Sequence, residues 1–167
     1  MRTPTITIAQ GYRPGAIGRI AEMHAVFYSA HAGFGHFFEG KVAAGLAEFT
    51  TRLANPRNAL WTALDGNRIV GSVAIDGEDL GDNTAHLRWF ILDDGFRGRG
   101  IGRALLAEAV AFCDRSGFAA TRLWTFSTLL AARKLYESFG FVLEQEYAGT
   151  QWGEEVLEQV FARKKDG

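Results

Sequence analysis

The segment that most constrains this chain runs from Leu87 to Gly102, L-R-W-F-I-L-D-D-G-F-R-G-R-G-I-G. An apolar strand passes into a glycine-rich turn, and the turn opens an amphipathic helical pattern over residues 98–116 that Gly117 closes. The first N–H groups of a helix lack internal partners and lie at the positive end of its dipole. Glycines at 98, 100 and 102 leave room for close approach, and Arg97, Arg99 and Arg103 add positive charge that Asp93 and Asp94 partly oppose. Such a turn has the chemistry of a phosphate or pyrophosphate cradle, where each charge-assisted hydrogen bond contributes about 1.5–3 kcal/mol. A glycine-rich helix start that merely packs closely is the plainer alternative, and three flanking arginines count against it.

Two phosphate-binding classes fall on spacing. A dinucleotide fingerprint needs G-x-G-x-x-G, but here the third glycine comes one residue early and Arg103 takes its place. A P-loop needs Gly-Lys-Ser/Thr, which occurs nowhere in the chain.

The rest of the chain reads as one mixed α/β domain over 1–167. Strands are expected at 5–9, 58–64, 68–75, 84–92, 121–126, 141–147 and 155–161. Helices are expected at 14–29, 39–53, 98–116 and 129–139. The order is strand, two helices, a three-strand meander through a Asp65-Gly66-Asn67 turn, then helix, strand, helix, strand, strand. That order predicts one central, mostly antiparallel mixed sheet with helices on both faces. A hydrophobic content of 47% with 22% charged residues suits a folded core. The net charge of -1, from 18 basic and 19 acidic residues, argues against a general nucleic-acid partner. One cysteine, Cys113, excludes an internal disulfide framework and suits a reducing compartment. No apolar run approaches the roughly 18 residues of a membrane span, and the N-terminus lacks the apolar stretch of a secretory signal. A cytoplasmic protein with no membrane partner is expected.

R-G-R-G-I-G at 97–102 resembles the acyl-coenzyme A signature Q/R-x-x-G-x-G/A of the GNAT N-acetyltransferases. A-A-R-K-L-Y-E-S-F-G-F at 131–141 is similar to that family's A-x-x-L-Y-x-x-x-G-F, and the order of elements resembles the fold over essentially the whole chain. L-R-W-F-I-L and the L-W-T-F…L-Y stretch resemble acetyltransferase domains fused to MarR-type regulators, although no DNA-binding domain is present in this sequence. The resemblance implies a GNAT-like fold and transfer of an acetyl group from acetyl-CoA to a small-molecule or protein amine by direct attack in a ternary complex. It implies no metal, and a homodimer, since such domains commonly dimerise. A non-catalytic acyl-CoA-binding sensor or partner module is the alternative.

By the same resemblance, backbone N–H groups of Arg97, Gly98, Arg99, Gly100, Ile101, Gly102 and Arg103 bind the pyrophosphate. Phe90, Ile91 and Leu92 pair with the pantetheine arm where their strand splays from its neighbour. An N–H near Ile91 or Leu92 faces the developing oxyanion. Tyr136 matches the tyrosine that protonates the departing thiolate; alone, it would read as a core residue. His86, eleven residues before Arg97, stands where several members carry a glutamate base. A histidine with an ordinary pKa of about 6.5 suits that work, though one simply lining the sheet is equally consistent. Strand alternation puts His86, Arg88, Phe90 and Leu92 on one face. Arg88 then either binds an acidic acceptor or forms a structural ion pair. One departure is Leu129, where many members place an asparagine, with Ser127 or Thr128 as substitutes. The acceptor is expected near the aromatic, glycine-rich loop at 31–38, with Phe34 and His36 as contacts and the loop as a mobile lid; core filling is its plainer reading. No His, Cys and carboxylate spacing suggests a metal site, and Cys113 reads as a small buried residue rather than a nucleophile.

Overall fold

The computed structural model describes residues 5–165. In chain order the elements are β1 (Ile6–Gln10), α1 (Ala16–Ala32), α2 (His36–Thr50), β2 (Ala59–Asp65), β3 (Arg68–Asp76), β4 (Thr84–Leu92), α3 (Ile101–Ser116), β5 (Ala120–Phe126), α4 (Leu130–Ser138), β6 (Val142–Gly149) and β7 (Val156–Lys164). The strands form one seven-stranded sheet ordered β1-β2-β3-β4-β5-β7-β6. Every pairing is antiparallel except β4–β5. This is the mostly antiparallel mixed sheet that the element order predicts, and it agrees with the fold that the resemblance implies.

Period-2 alternation divides the core between the two faces of the sheet. On one face Trp61, Val73 and Ile75 meet Leu105, Leu106 and Ala109 of α3, with Tyr136 of α4. On the other, Leu60, Leu64 and Ala74 meet Ile20 of α1 and Leu46 and Phe49 of α2. Both sides of β2 and β3 are therefore buried, and the central strands read as nearly continuous apolar runs.

Helix α3 begins at Ile101 rather than at 98. Gly98 and Gly100 hold φ at 76° and 80°, outside the helical region and accessible at low cost only to glycine. The expected loop at 31–38 shrinks to residues 33–35. Gly33 ends α1 in the left-handed conformation, its N–H returning to the Ser29 carbonyl, and α2 starts at His36. Phe34 is 2% exposed, with its ring 5.0 Å from Phe38, 5.5 Å from Phe126 and 5.8 Å from Tyr28. This segment is a plug in the core, not a mobile lid; its glycines cap and start helices.

Candidate active site

The open part of the sheet is where β4 and β5 diverge. They pair only at Thr84–Ala120, Ala85–Thr121 and His86–Arg122. From Leu87 onward the edge of β4 that faces β5 is left without a strand partner. Against β3, Arg88 is opposite Ala74 and Ile91 opposite Ser72, so Trp89 and Phe90 together face Val73 alone. This is a β-bulge. Trp89 carries it at φ 50°, a strained value for a bulky side chain. The Ser72 hydroxyl donates to the Trp89 carbonyl at 2.7 Å and holds the irregularity.

The bulge reverses the alternation. Trp89 and Ile91 pack on the α1/α2 side, and Phe90 and Leu92 on the α3/α4 side. His86 and Arg88 belong with the former, since Arg88 reaches Gly45 of α2. The expectation that His86, Arg88, Phe90 and Leu92 share one face is thus corrected, because one extra residue changes the phase.

Phe90, Ile91 and Leu92 line a cavity of about 660 Å³ together with Arg97, Gly98, Gly100, Gly102 and Arg103. The first N–H of α3 with a backbone partner is that of Ala104, to the Gly100 carbonyl at 3.0 Å; those of residues 101–103 have none among the described residues. Arg97 donates to the Leu92 carbonyl at 2.9 Å and lies 4.3 Å over Phe27. Arg99 and Ile101 do not line this cavity. Arg99 stands over Phe96 at 5.2 Å, and the Ile101 side chain is in the core. The glycines differ in role. A Cβ at Gly98 or Gly100 would meet nothing, so positive φ selects them, whereas one at Gly102 would lie 3.3 Å from both Leu92 and Phe90. Gly102 therefore serves close packing of α3 on β4. At the cavity's side His31 bonds the Thr128 hydroxyl at 3.0 Å. That bridge joins elements 97 residues apart and has no local sequence signal.

Tyr136, on α4, is 6% exposed among Phe90, Phe141 and Phe161 at ring distances of 5.9, 6.0 and 6.4 Å. Its hydroxyl has no hydrogen-bond partner among the described residues. Burial, and then the charge of a nearby Tyr28, push its pKa well above the ordinary phenol value. Tyr28 itself is pushed up to about 12 by burial, against an opposing pull from Arg97.

A second cavity, of about 310 Å³, lies on the other side of the splay. Tyr28, Phe90, Leu129 and Tyr136 line both cavities, so the two meet there. His86, Arg88 and Phe34 line the second; His36 is exposed and lines neither. His86 Nδ1 is 2.7 Å from an Asp79 carboxylate oxygen. An ionised carboxylate only accepts, so Nδ1 carries the proton and Nε2 is left to exchange one. The ring meets Trp124 edge-on at 5.0 Å. His86 and Phe90 stand four positions apart on the strand, roughly 12 Å, so a proton passing from the junction to His86 travels through water.

Arg88 stacks on Trp89 at 4.0 Å and donates through Nη1 to Asp76 at 3.2 Å. Asp76 is fully buried and is also gripped by Arg52 at 2.7 and 3.1 Å. Burial alone would raise the Asp76 pKa, but the Arg52 hydrogen bonds, the Glu78 N–H and the charges of Arg52 and Arg88 outweigh it and hold it low. His24, Gln151 and Trp152 also line this cavity. His24 gives its Nδ1 proton to the Ile20 carbonyl at 2.8 Å, and burial lowers its pKa to about 4, so it is neutral. Gln151 and Trp152 come from the turn between β6 and β7.

Among the described residues no helix is long and apolar enough to cross a membrane. Nor do they include a group of three or more His, Cys, Asp or Glu placed to hold a metal ion. Residues 20–141 match the model of the acetyltransferase (GNAT) family. N-acetylaspartate synthetase of Homo sapiens is 41% identical over 87 residues, which is 52% of this chain and 28% of that protein. The Danio rerio protein of the same name is 38% identical over 84 residues, 50% of this chain and 29% of that one. The match thus spans under a third of the length of these relatives. An acetyltransferase of the GNAT family from Staphylococcus aureus Mu50 superposes with a TM-score of 0.75 at 17% identity, covering 96% of this chain and 99% of that one. A Salmonella typhimurium structure solved with its cofactor acetyl-CoA gives 0.76 at 14% identity, covering 98% and 95%. At such identities the likeness is one of fold.

Proposed function

The chain belongs to the acetyltransferase (GNAT) family, and we propose that it transfers an acetyl group from acetyl-CoA to a primary amine by direct attack in a ternary complex. The observation that carries this is the meeting of two cavities at Tyr136, one ending in the N–H cradle and the other open to an acceptor. The residues present fit the donor. The unpartnered N–H groups of 101–103, with Arg97 and Arg103, would hold its pyrophosphate, and the free edge of β4 at Phe90, Ile91 and Leu92 would pair with its amide-bearing arm. Acetyl-CoA, when bound, supplies an acetyl thioester whose carbonyl is open to attack.

The chain's own groups then do three things. N–H groups on the open edge of β4 take up negative charge developing on the carbonyl oxygen. Tyr136, kept protonated by burial, gives its proton to the departing sulfur. His86, oriented by Asp79, accepts the amine's proton through water. Cys113 is buried in the core and its pKa is pushed up to about 11 by burial, which supports direct attack over an acetyl-cysteine. The acceptor is a small molecule on this reading, and an amino acid such as the aspartate named for the curated relatives is one candidate class.

Calorimetric titration with acetyl-CoA, followed by initial rates of thiol release with a panel of amines, tests the proposal. Saturable one-to-one binding and intersecting velocity patterns are expected. Parallel patterns with an acetylated protein by intact mass would instead mean a covalent intermediate. No binding up to millimolar acetyl-CoA would remove the donor site.

A further inference from the structure

Given the transfer reading above, we infer that the acceptor is an amine bearing a single carboxylate on an aromatic body, of the aromatic amino acid type, with Arg88 as the carboxylate clamp. Three features of the 310 Å³ cavity support this. The first is its charge. Its lining includes Lys41 and Arg88 but no Asp or Glu, and His24 is held neutral by burial. The carboxylates of the neighbouring network, Asp76, Asp79, Glu48 and Glu78, stand behind the arginines and line no part of the cavity.

The second is the geometry of Arg88. Its closest approaches to Asp76, at 3.2 Å, and to Asp79, at 3.9 Å, are both through Nη1. Asp76 has its own grip from Arg52, so Arg88 is not needed to neutralise it. Nε and Nη2 of Arg88 make no hydrogen bond among the described residues, and Nη2 lies beside Gly45 of α2. The guanidinium is held flat on Trp89 at 4.0 Å, so this fork is preorganised for a planar carboxylate.

The third is the wall. Phe34, Phe38, Trp89, Trp124, Phe126 and Trp152 surround the polar groups. Trp152 stacks towards Phe34 at 6.4 Å and meets Phe126 at 5.6 Å. A second carboxylate would be desolvated against these rings. The one other cation, Lys41, is exposed and tied to the Gln151 carbonyl at 2.6 Å. An aromatic body gains from the same surface.

The test compares L-phenylalanine, phenethylamine and L-aspartate as acceptors in thiol release with saturating acetyl-CoA. In parallel, Trp emission is followed while N-acetyl-L-phenylalanine is titrated into protein saturated with CoA, since Trp89, Trp124 and Trp152 line the cavity. A clamp of charge-assisted hydrogen bonds predicts kcat/KM for L-phenylalanine about 10- to 150-fold above phenethylamine, and above L-aspartate as well. The preference over phenethylamine should collapse towards unity in Arg88→Gln and return in part in Arg88→Lys; a ratio within one variant is independent of how much of it folds. Equal rates with phenethylamine overturn the clamp, and a preference for L-aspartate overturns the aromatic body. Saturable quenching with no turnover of any of the three supports the acceptor class and sinks the transfer reading instead. Neither quenching nor turnover, with acetyl-CoA bound, overturns the acceptor class alone.

Discussion

Replacing Tyr136 with Phe should slow the enzyme and stabilise the protein together. The hydroxyl has no hydrogen-bond partner among the described residues and sits in a ring of Phe90, Phe141 and Phe161. A buried hydroxyl without a partner carries a desolvation cost of about 1–3 kcal/mol. Tyr136 borders both cavities and its hydroxyl is not among the fully buried unpartnered atoms, so the gain is at most the low end, about 1 kcal/mol. For a chain of this size that raises Tm by about 2–4 °C. As a general acid the same hydroxyl contributes about 10²- to 10⁴-fold to turnover, or roughly 3–5 kcal/mol of barrier.

The assay is thermal unfolding by circular dichroism beside kcat for thiol release, both on Tyr136→Phe. Since burial raises the Tyr136 pKa, the phenol is protonated throughout the working range, and the alkaline limb of the wild-type profile should belong to another group. The variant should therefore keep the shape of the pH profile while losing its height. Wild-type kcat in the variant would refute the acid role. A Tm lowered by several degrees would mean that the hydroxyl is a structural partner after all.

Arg52→Met leaves the buried Asp76 with only Arg88 and two backbone N–H groups and should cost about 3 kcal/mol at neutral pH. The wild-type Asp76 pKa is depressed, so its stabilisation exists above the unfolded value of about 4 and is lost below it; the gap between variant and wild type should close as pH falls past 4, and a pH-independent gap in denaturant midpoints would contradict the pairing. Gly102→Val drives methyls into Leu92 and Phe90 and should cost about 1–3 kcal/mol while weakening acetyl-CoA binding in calorimetry; unchanged binding would mean the floor of the cavity tolerates the shift. Trp89→Gly should be more stable than Trp89→Ala by about 1 kcal/mol, because only Ala retains the strain of φ 50°. The usual order, Ala above Gly, would show that the bulge relaxes when the ring is gone.

What the sequence exposed was local chemistry. The turn at 97–103 announces itself because glycine at positive φ and arginine beside a helix start are both visible as letters. The order of elements followed from periodicity, and their ends moved by a few residues where caps decide them. The bulge at Trp89 was not legible, since tryptophan carries no signature of positive φ, and period-2 counting then misplaced Phe90 and Leu92. Phe34 looked like part of a lid because the glycines beside it suggested mobility; only the packing of Tyr28, Phe38, Phe126 and Trp152 around its ring shows otherwise. Arg52, Asp76 and Asp79 come from the turn after α2, the last residue of β3 and the loop between β3 and β4. The pairing of Asp76 with Arg52 and Arg88, and of Asp79 with His86, is a product of the tertiary fold, so no local pattern marks it.

One strained residue explains why a single strand can serve two cavities. Without the bulge, Arg88, Phe90 and Leu92 would lie on one face, and the arginine fork would crowd the surface that the acyl donor needs. With it, His86, Arg88 and Trp89 turn towards α2 and the smaller cavity, while Phe90 and Leu92 turn towards α3 and the glycine-rich turn. The supports are placed for this. Ser72 bonds the Trp89 carbonyl, Arg88 covers one face of the ring, Phe49 meets it at 5.3 Å, and Gly45 leaves the space the ring occupies, since a Cβ there would stand 3.0 Å from it. Four independent contacts hold a conformation that costs on the order of 1–3 kcal/mol. Strain kept in place by so many neighbours is best explained by what it positions. It lets Arg88 line one cavity and the open strand edge at Ile91 and Leu92 line the other, with Tyr136 bordering both, which is the arrangement that the proposed transfer requires.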